Sequence, residues 1–358
     1  QLHNLKQQRI DSCALINSTL QSHQKLKALE NFENAGIHIL YVAPERLLIH
    51  NFKESLSRIK LSMAVLDEAH CVSQWGHDFR TSYLYVGEIL QNENKDIVIM
   101  ALTGTASCNV ITDIKRELHF KRNVTIVTPN HFRRDELNFR VFYEQIDKPL
   151  ADRVQGWYLT NQIGKAIQHL YDYKDINHAT EIIGRFSEKN KWKQYINGGL
   201  IFVPYAQKRG VSVQTAVESL RQYFTRYHDT TYKDVNFGLY HGSLRDEEKN
   251  EQQHKFTRNE TLFLVATKAF GMGIDKSNIR LTIHTTIPES IEAFYQEAGR
   301  AGRDREKAVN IILAPPKNMS FDEIQDAKIY EYFINNSFPE LELFLKEVDM
   351  VFNTPYIG

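Results

Sequence analysis

Cysteine is scarce in this chain. Cys13, Cys71 and Cys108 stand far apart and form no CxxC pair. That spacing argues against a zinc site and against a disulfide framework, so no zinc is expected and a reducing compartment suits the chain best. The expected location is cytoplasmic or nucleoid-associated, or nuclear in a eukaryote. No run of about 18 or more apolar residues occurs, so no membrane span is expected. The first twenty residues are polar, which argues against a secretory leader. The chain begins with Gln rather than Met, so its true start is expected upstream. Charge of one sign is missing too: 44 Lys and Arg balance 44 Asp and Glu. A neutral total neither favours nor disfavours a nucleic-acid partner, because phosphate binding needs a local basic surface. There is no internal repeat and no low-complexity tract.

What is present is ordinary globular material. At 358 residues the chain is too long for one compact core and suits two or three domains. Short apolar runs rich in Val, Ile and Leu recur at 37–42, 62–66, 97–102, 199–203, 237–240, 262–266, 281–284 and 309–313. Such runs suit strands buried on both faces. Helical patterns separate them, as at 22–34, 107–118 and 290–300. Alternation of this kind implies an α/β chain with parallel sheets and crossover helices. The strands fall into two groups. The expected division is a first lobe over 1–139, a linker with the opening helices of a second lobe over 140–197, that lobe over 198–318, and a helical tail over 319–358.

Residues 65–80 read VLDEAHCVSQWGHDFR. Asp67 and Glu68 follow a strand, and ligand sites in open α/β sheets lie at the carboxyl ends of strands. An adjacent carboxylate pair there suits two tasks: one group holds a hydrated Mg²⁺, the other orients or deprotonates a water. The plainer alternative is a polar helix start, where acidic groups complement the helix dipole. Trp75, Phe79 and Arg80 add stacking surfaces and a phosphate partner in a polar, glycine-containing loop. The alternative for Trp75 and Phe79 is burial in the core, which Gly76, His77 and Asp78 make less favourable.

Further signals follow in order. TGT at 103–105 lies after another strand, where hydroxyls can link strand ends or simply cap a helix. Residues 264–280, LVATKAFGMGIDKSNIR, place Gly271 and Gly273 where close ligand approach is allowed, with Asp275 able to reach a ribose hydroxyl. Alone, that glycine pair is as consistent with an ordinary loop. Residues 288–304 read PESIEAFYQEAGRAGRD. Ile291, Phe294, Tyr295 and Ala298 recur at helical spacing and predict a buried stripe. Gln296, Arg300 and Arg303 share a second face if the helix persists through Gly299 and Gly302. Two arginines on one face can neutralise charge on a transferred phosphoryl group; a solvated basic face is the alternative, and the two helix-breaking glycines favour the former.

Together these pieces resemble the RecQ family of superfamily 2 helicases, over about residues 2–315. YVAPERL at 41–47, DEAH at 67–70, ALTGTAS at 101–107, GLIFV at 199–203, YHGSL at 240–244, VATKAFGMGIDKSNIR at 265–280 and YQEAGRAGRD at 295–304 are similar to its successive motifs. DEAH and GRAGR are shared by many helicases, whereas DEAHCVSQWGHDFR is specific to this family. The resemblance implies two RecA-like lobes and an ATP-dependent DNA helicase of 3′→5′ polarity, acting in DNA repair or recombination. In its terms Asp67 holds Mg²⁺, Glu68 positions the attacking water, and His70 relays to the TGT and GRAGR segments. Gln296 and Arg300 approach the γ-phosphate, and Arg303 is the arginine finger. Gly273 and Asp275 join the nucleotide site. Arg46, Trp75, Phe79, Arg80 and Thr267 are the candidates for single-stranded or partly duplex DNA.

The chain departs from that pattern in several places. No GxxxxGK[ST] phosphate loop is present; Gly164-Lys165 is followed by Ala166 and lies in the wrong place. The expectation is an upstream segment missing from the sequence, leaving residues 1–358 inactive alone. TGT replaces the usual TAT, Arg305 replaces a usual Gly, 140–197 is longer than usual, and the four-cysteine zinc domain is absent. A helicase-like DNA-binding protein without catalysis and an RNA-directed DEAH helicase are the rival readings.

Overall fold

The computed structural model describes residues 2–16, 20–73, 80–104, 106, 108–120, 124–127, 134–142, 163–166, 195–207, 212–226, 236–270, 276–286 and 291–313. They fall into two compact units, one within residues 1–130 and one within 131–350.

The first unit runs α1 (Leu2–Gln7), β1 (Cys13–Ile16), α2 (Ser22–Glu33), β2 (Ile39–Val42), α3 (His50–Ser57), β3 (Met63–Leu66), α4 (Val86–Glu93), β4 (Val98–Ala101) and α5 (Cys108–Glu117). β1 pairs with β2, and β3 with β4, both parallel. Parallel neighbours need a crossover, which α2 and α4 supply. Leu66, Val72, Val86, Leu90, Val110, Ile114 and Leu118 form the core beside β3 and β4, and Ile16, Leu29, Phe52 and Leu56 that beside β1 and β2. Helix α4 lies so close to the end of α5 that a Cβ on Gly87 would stand 2.5 Å from the Glu117 carbonyl oxygen. Only a residue without a side chain permits that approach.

Burial on both faces was expected of these strands and does not hold in this unit. Ala64, Leu66, Ile99 and Ala101 turn to the core. Met63 and Val65 on β3, and Val98 and Met100 on β4, are 44–55% exposed. The alternation is that of sheets with one covered face.

The second unit contains β5 (Leu137–Phe142), β6 (Gly198–Phe202), α6 (Val213–Arg226), β7 (Phe237–Tyr240), α7 (Asp246–Thr257), β8 (Phe263–Ala266), β9 (Ile279–His284), α8 (Ile291–Ala298) and β10 (Ala308–Leu313). Its six strands form one parallel sheet in the order β5-β10-β9-β6-β8-β7. Here burial on both faces is met: every residue of β6, β8, β9 and β10 is buried. Ile201, Val203, Val217, Leu220, Phe263, Val265, Leu281, Ile283, Val309 and Ile311 make the core.

Two strands, β1 and β5, escaped the sequence reading. The second moves a boundary. The division expected at 139/140 falls inside β5, whose partner is β10, with Leu137 opposite Ala308. Its hydrogen bonds therefore tie residues 137–142 to the second sheet. Of 140–197, only 140–142, 163–166 and 195–197 are described, and 319–358 lies outside the described residues.

Candidate nucleotide and nucleic-acid site

In the first unit the candidate residues gather just beyond β3 and β4. The backbone turns sharply at Glu68, which sits in the left-handed region at φ 51°. A non-glycine residue there is under strain that its surroundings must oppose. Three hydrogen bonds do so. Asp67 Oδ1 accepts the Glu68 N–H at 3.0 Å, the Cys71 N–H donates to the Glu68 carbonyl at 3.0 Å, and the Ala69 N–H donates to Leu102 at 2.8 Å. The last bond ties the DEAH corner to the strand end bearing Thr103.

His70 is buried at 2% exposure. Its Nδ1 lies 3.0 Å from Thr103 Oγ1 and 3.5 Å from Glu68 Oε2. The expected contact of His70 with the TGT segment is thus present within this unit. Tyr83, which was not expected, donates its hydroxyl to the Asp67 carbonyl at 3.2 Å. Burial first, then the neighbouring Cys71, Asp67 and Glu45, outweigh the nearby Arg80 charge and push the Tyr83 hydroxyl up to about 12, so it remains a donor. Behind the corner, Ser73 donates to Asp113 Oδ2 at 2.6 Å.

Asp67 and Glu68 stand side by side with carboxylates that suit a hydrated cation. Among the described residues no group of three His, Cys, Asp or Glu side chains could hold a metal. Mg²⁺ keeps several waters and is held by one or two carboxylates plus substrate phosphates, a demand that these two side chains can meet.

The stacking residues Trp75 and Phe79 lie outside the described residues, as does Thr105. The ends of their loop are placed, since the Arg80 N–H donates to the Cys71 carbonyl at 2.9 Å. Arg80 opens a short 3-10 turn over Thr81–Tyr85, and Arg46 lies in another over Pro44–Leu48. Ser82 Oγ donates to Glu45 Oε1 at 3.3 Å and joins the two turns, so both basic candidates stand on one connected surface.

In the second unit, Phe294, Tyr295 and Ala298 are buried as the stripe requires. The helix, however, ends at Ala298 rather than continuing through Gly299 and Gly302. The chain then turns, with Gly302 at φ 60°. The shared face expected for Gln296, Arg300 and Arg303 therefore does not form: Gln296 is half-buried, Arg300 is buried and Arg303 is exposed. Gly299 and Gly302 lie where the helix stops, and the close approach expected of them is to protein backbone: a Cβ would stand 2.8 Å from the Tyr295 carbonyl oxygen at Gly299 and 2.8 Å from the Glu306 carbonyl oxygen at Gly302.

Groups the sequence did not suggest hold this turn. Arg134 donates from Nη1 to the Gly299 carbonyl at 2.7 Å, and from Nη2 to Ala301 at 3.0 Å and Gly302 at 2.6 Å. Arg280 makes a two-point bond to the Asp304 carboxylate at 2.9 and 2.5 Å. Burial would raise Asp304, but the Arg280 hydrogen bonds and charge and the Glu306 N–H outweigh it and hold the carboxyl below its usual range. His284 Nδ1 lies 3.1 Å from Glu297 Oε2, with its ring between Phe202 and Phe294.

Arg305 occupies the position where a glycine was expected, and its φ of 67° supplies the reason: the turn needs the left-handed region there. Thr267 lies in a turn after β8, where its N–H donates to the Tyr240 carbonyl at 3.2 Å. Gly273 and Asp275 lie outside the described residues. Gly164-Lys165 sits in a helical turn flanked by Ile163 and Ala166, both packed in the second core, which is no setting for a phosphate loop.

Known proteins match this arrangement. A DEAD/DEAH box helicase domain matches residues 1–114, and a helicase conserved C-terminal domain matches 174–305. The ATP-dependent DNA helicase RecQ of Bacillus subtilis is 33% identical over 86% of this chain and 43% of its own length. That of Haemophilus influenzae is 30% identical over 86% of this chain and 41% of its own length. The chain thus spans about two-fifths of the length of these curated relatives. Among solved structures, the DUF1998 helicase MrfA bound to DNA aligns with a TM-score of 0.61 at 15% identity, over 91% of this chain and 38% of that one. The Mycobacterium smegmatis helicase Lhr bound to ssDNA and AMP-PNP aligns with a TM-score of 0.59 at 16% identity, over 88% of this chain and 36% of that one. These structural likenesses establish the fold, two RecA-like lobes of parallel sheet with flanking helices.

Proposed function

The chain belongs to the RecQ family of superfamily 2 helicases, and from that premise we propose that it forms the motor core of an enzyme coupling ATP hydrolysis to 3′→5′ movement along DNA and to duplex unwinding, in repair or recombination. One observation carries the reading most directly: the buried His70 bridges the Glu68 carboxylate and the Thr103 hydroxyl at the carboxyl ends of adjacent strands. A glutamate held in this way, on a strained corner with a fixed neighbour, suits a group that must orient one water molecule.

In this reading Glu68 orients the attacking water and accepts its proton, while His70 fixes the Glu68 carboxylate and transmits its state to Thr103. Asp67 would hold Mg²⁺, which when bound neutralises charge on the phosphates. Gln296, Arg300 and Arg303 approach the triphosphate, with the exposed Arg303 as the finger and Gly273 and Asp275 completing the nucleotide site. Trp75 and Phe79 stack on bases, and Arg46, Arg80 and Thr267 contact the DNA strand. Since the Trp75 loop starts and ends at the DEAH corner, DNA held there bears on Glu68 through a few covalent bonds.

Residues 1–358 alone do not hydrolyse ATP in this account. Phosphate binding in this class depends on a loop of N–H groups and a Lys, and no such motif occurs in the sequence. A cytoplasmic, nucleoid or nuclear location belongs to the same proposal. The test compares ATP hydrolysis by the full-length polypeptide with single-stranded DNA, with RNA and with neither. Stimulation by DNA above RNA is expected. Greater stimulation by RNA would favour an RNA-directed helicase, and no hydrolysis under any condition would favour a DNA-binding protein without catalysis.

A further inference from the structure

The turn that carries Arg300 and Arg303 is held from outside by a residue far away in sequence. Helix α8 ends at Ala298, and the last carbonyls of a helix have no partner within it. Three carbonyls in this turn, those of Gly299, Ala301 and Gly302, all accept from Arg134. They bracket Arg300 on both sides and immediately precede Arg303. The guanidinium is itself aimed, because Arg134 Nε donates to Glu136 Oε1 at 2.7 Å, and Glu136 also accepts from Arg305 Nη1 at 3.3 Å. Burial would raise the Glu136 carboxyl, but its hydrogen bonds and the charges of Arg134 and Arg305 prevail and keep it ionised and below its usual range. The turn is also tightly built around these groups: a Cβ on Gly302 would come within 3.1 Å of Glu136 Cγ.

We propose that Arg134 is a positioning residue for ATP hydrolysis, holding the Gly299, Ala301 and Gly302 carbonyls so that the Arg300 and Arg303 guanidiniums are presented in one fixed arrangement. The inference rests on the reading of Arg300 and Arg303 given above. Arg134 touches no substrate. It acts through the backbone, and it does so from the segment that leads into β5, at the start of the second unit. A charge near a helix C-terminus would be favourable for any cation. What Arg134 adds is a planar fork of N–H donors that reaches three oxygens at once, which an ammonium cannot reproduce with the same geometry.

The test uses Arg134→Gln and Arg134→Lys in the full-length polypeptide. Displacement of a reacting group by about 1 Å can cost on the order of 10²-fold in rate. The Gln variant is therefore expected to lose turnover on that order at saturating ATP and single-stranded DNA, with KM for ATP within a few-fold and a thermal midpoint close to that of the parent. The Lys variant is expected to behave like Gln. Full turnover in Arg134→Gln, complete rescue by Lys, or a loss matched by the fraction of protein unfolded would each overturn the proposal. Hydrogen exchange on residues 1–358 reads the same claim without turnover. The Gly302 and Arg305 amides, which donate to Ile279 and Gly302, should exchange faster in Arg134→Gln while the β6 and β8 amides do not. Unchanged exchange at those two amides would sink the positioning role even if the parent hydrolysed no ATP, whereas a parent without hydrolysis would count against the helicase reading alone.

Discussion

Replacing Thr103 with Val removes one hydroxyl and keeps nearly the same shape. His70 is buried at 2% exposure, and its Nδ1 loses the Thr103 Oγ1 partner at 3.0 Å while Glu68 Oε2 stays at 3.5 Å. Leaving a buried polar group short of a hydrogen bond costs about 1–3 kcal/mol. The retained Glu68 contact and the half-buried position of Thr103 place the loss near the lower end, about 1 kcal/mol. For a unit of this size that corresponds to a fall of about 2–4 °C in thermal midpoint. Circular dichroism melts of residues 1–358 measure it, with Thr103→Ser as the control that keeps the oxygen. The Val variant should melt below the parent and the Ser variant close to it. In the full-length polypeptide, DNA-stimulated turnover of the Val variant should fall about tenfold, the rate equivalent of about 1.4 kcal/mol. Equal melting of the Val and Ser variants would refute the hydrogen bond, and equal turnover would refute its part in coupling.

Other substitutions address separate features. Arg305→Gly should stabilise residues 1–358 by up to about 1 kcal/mol in chemical denaturation, because a non-glycine residue at positive φ costs about 1–2 kcal/mol and the exposed pair with Glu136 returns little. Lys276, buried and lowered to about 8 by burial first and then by Arg280, stays neutral in the fold over a range where the unfolded chain binds a proton. Stability should therefore rise between about pH 8 and the ordinary lysine value of 10.5, and Lys276→Met should abolish that rise in urea titrations across the range. Trp75→Ala in the full-length polypeptide should lose stimulation of hydrolysis by single-stranded DNA while basal hydrolysis survives, with affinity lowered by about 1–3 kcal/mol; equal loss of both rates would reject the coupling role.

The parallel sheet of the second unit was legible because its strands are buried on both faces and read as apolar runs. β5 was not, since LNFRVF alternates apolar and polar residues near one edge and gains its identity only from β10. The DEAH corner was legible as chemistry but not as geometry: nothing in the residues announces that Glu68 adopts a left-handed conformation. The end of α8 illustrates the limit of periodicity. Gln296, Arg300 and Arg303 continue a helical pattern that Gly299 and Gly302 interrupt, and the contacts deciding the outcome come from elsewhere. Arg134 lies 165 residues from its Gly299 partner, so no local pattern could mark it. Arg305 is the converse case: the sequence showed only that it replaces a usual Gly, and its φ of 67° gives that departure a backbone meaning.

Strand displacement by the full-length polypeptide tests the central claim most directly. Partly duplex DNA with a 3′ or a 5′ single-stranded tail is offered with Mg²⁺ and ATP, beside residues 1–358 alone and a Glu68→Gln variant. The account predicts ATP-dependent unwinding of the 3′-tailed substrate, little of the 5′-tailed one, and none by residues 1–358 or by Glu68→Gln. Unwinding that persists in Glu68→Gln, or by residues 1–358 without a phosphate loop, would contradict it.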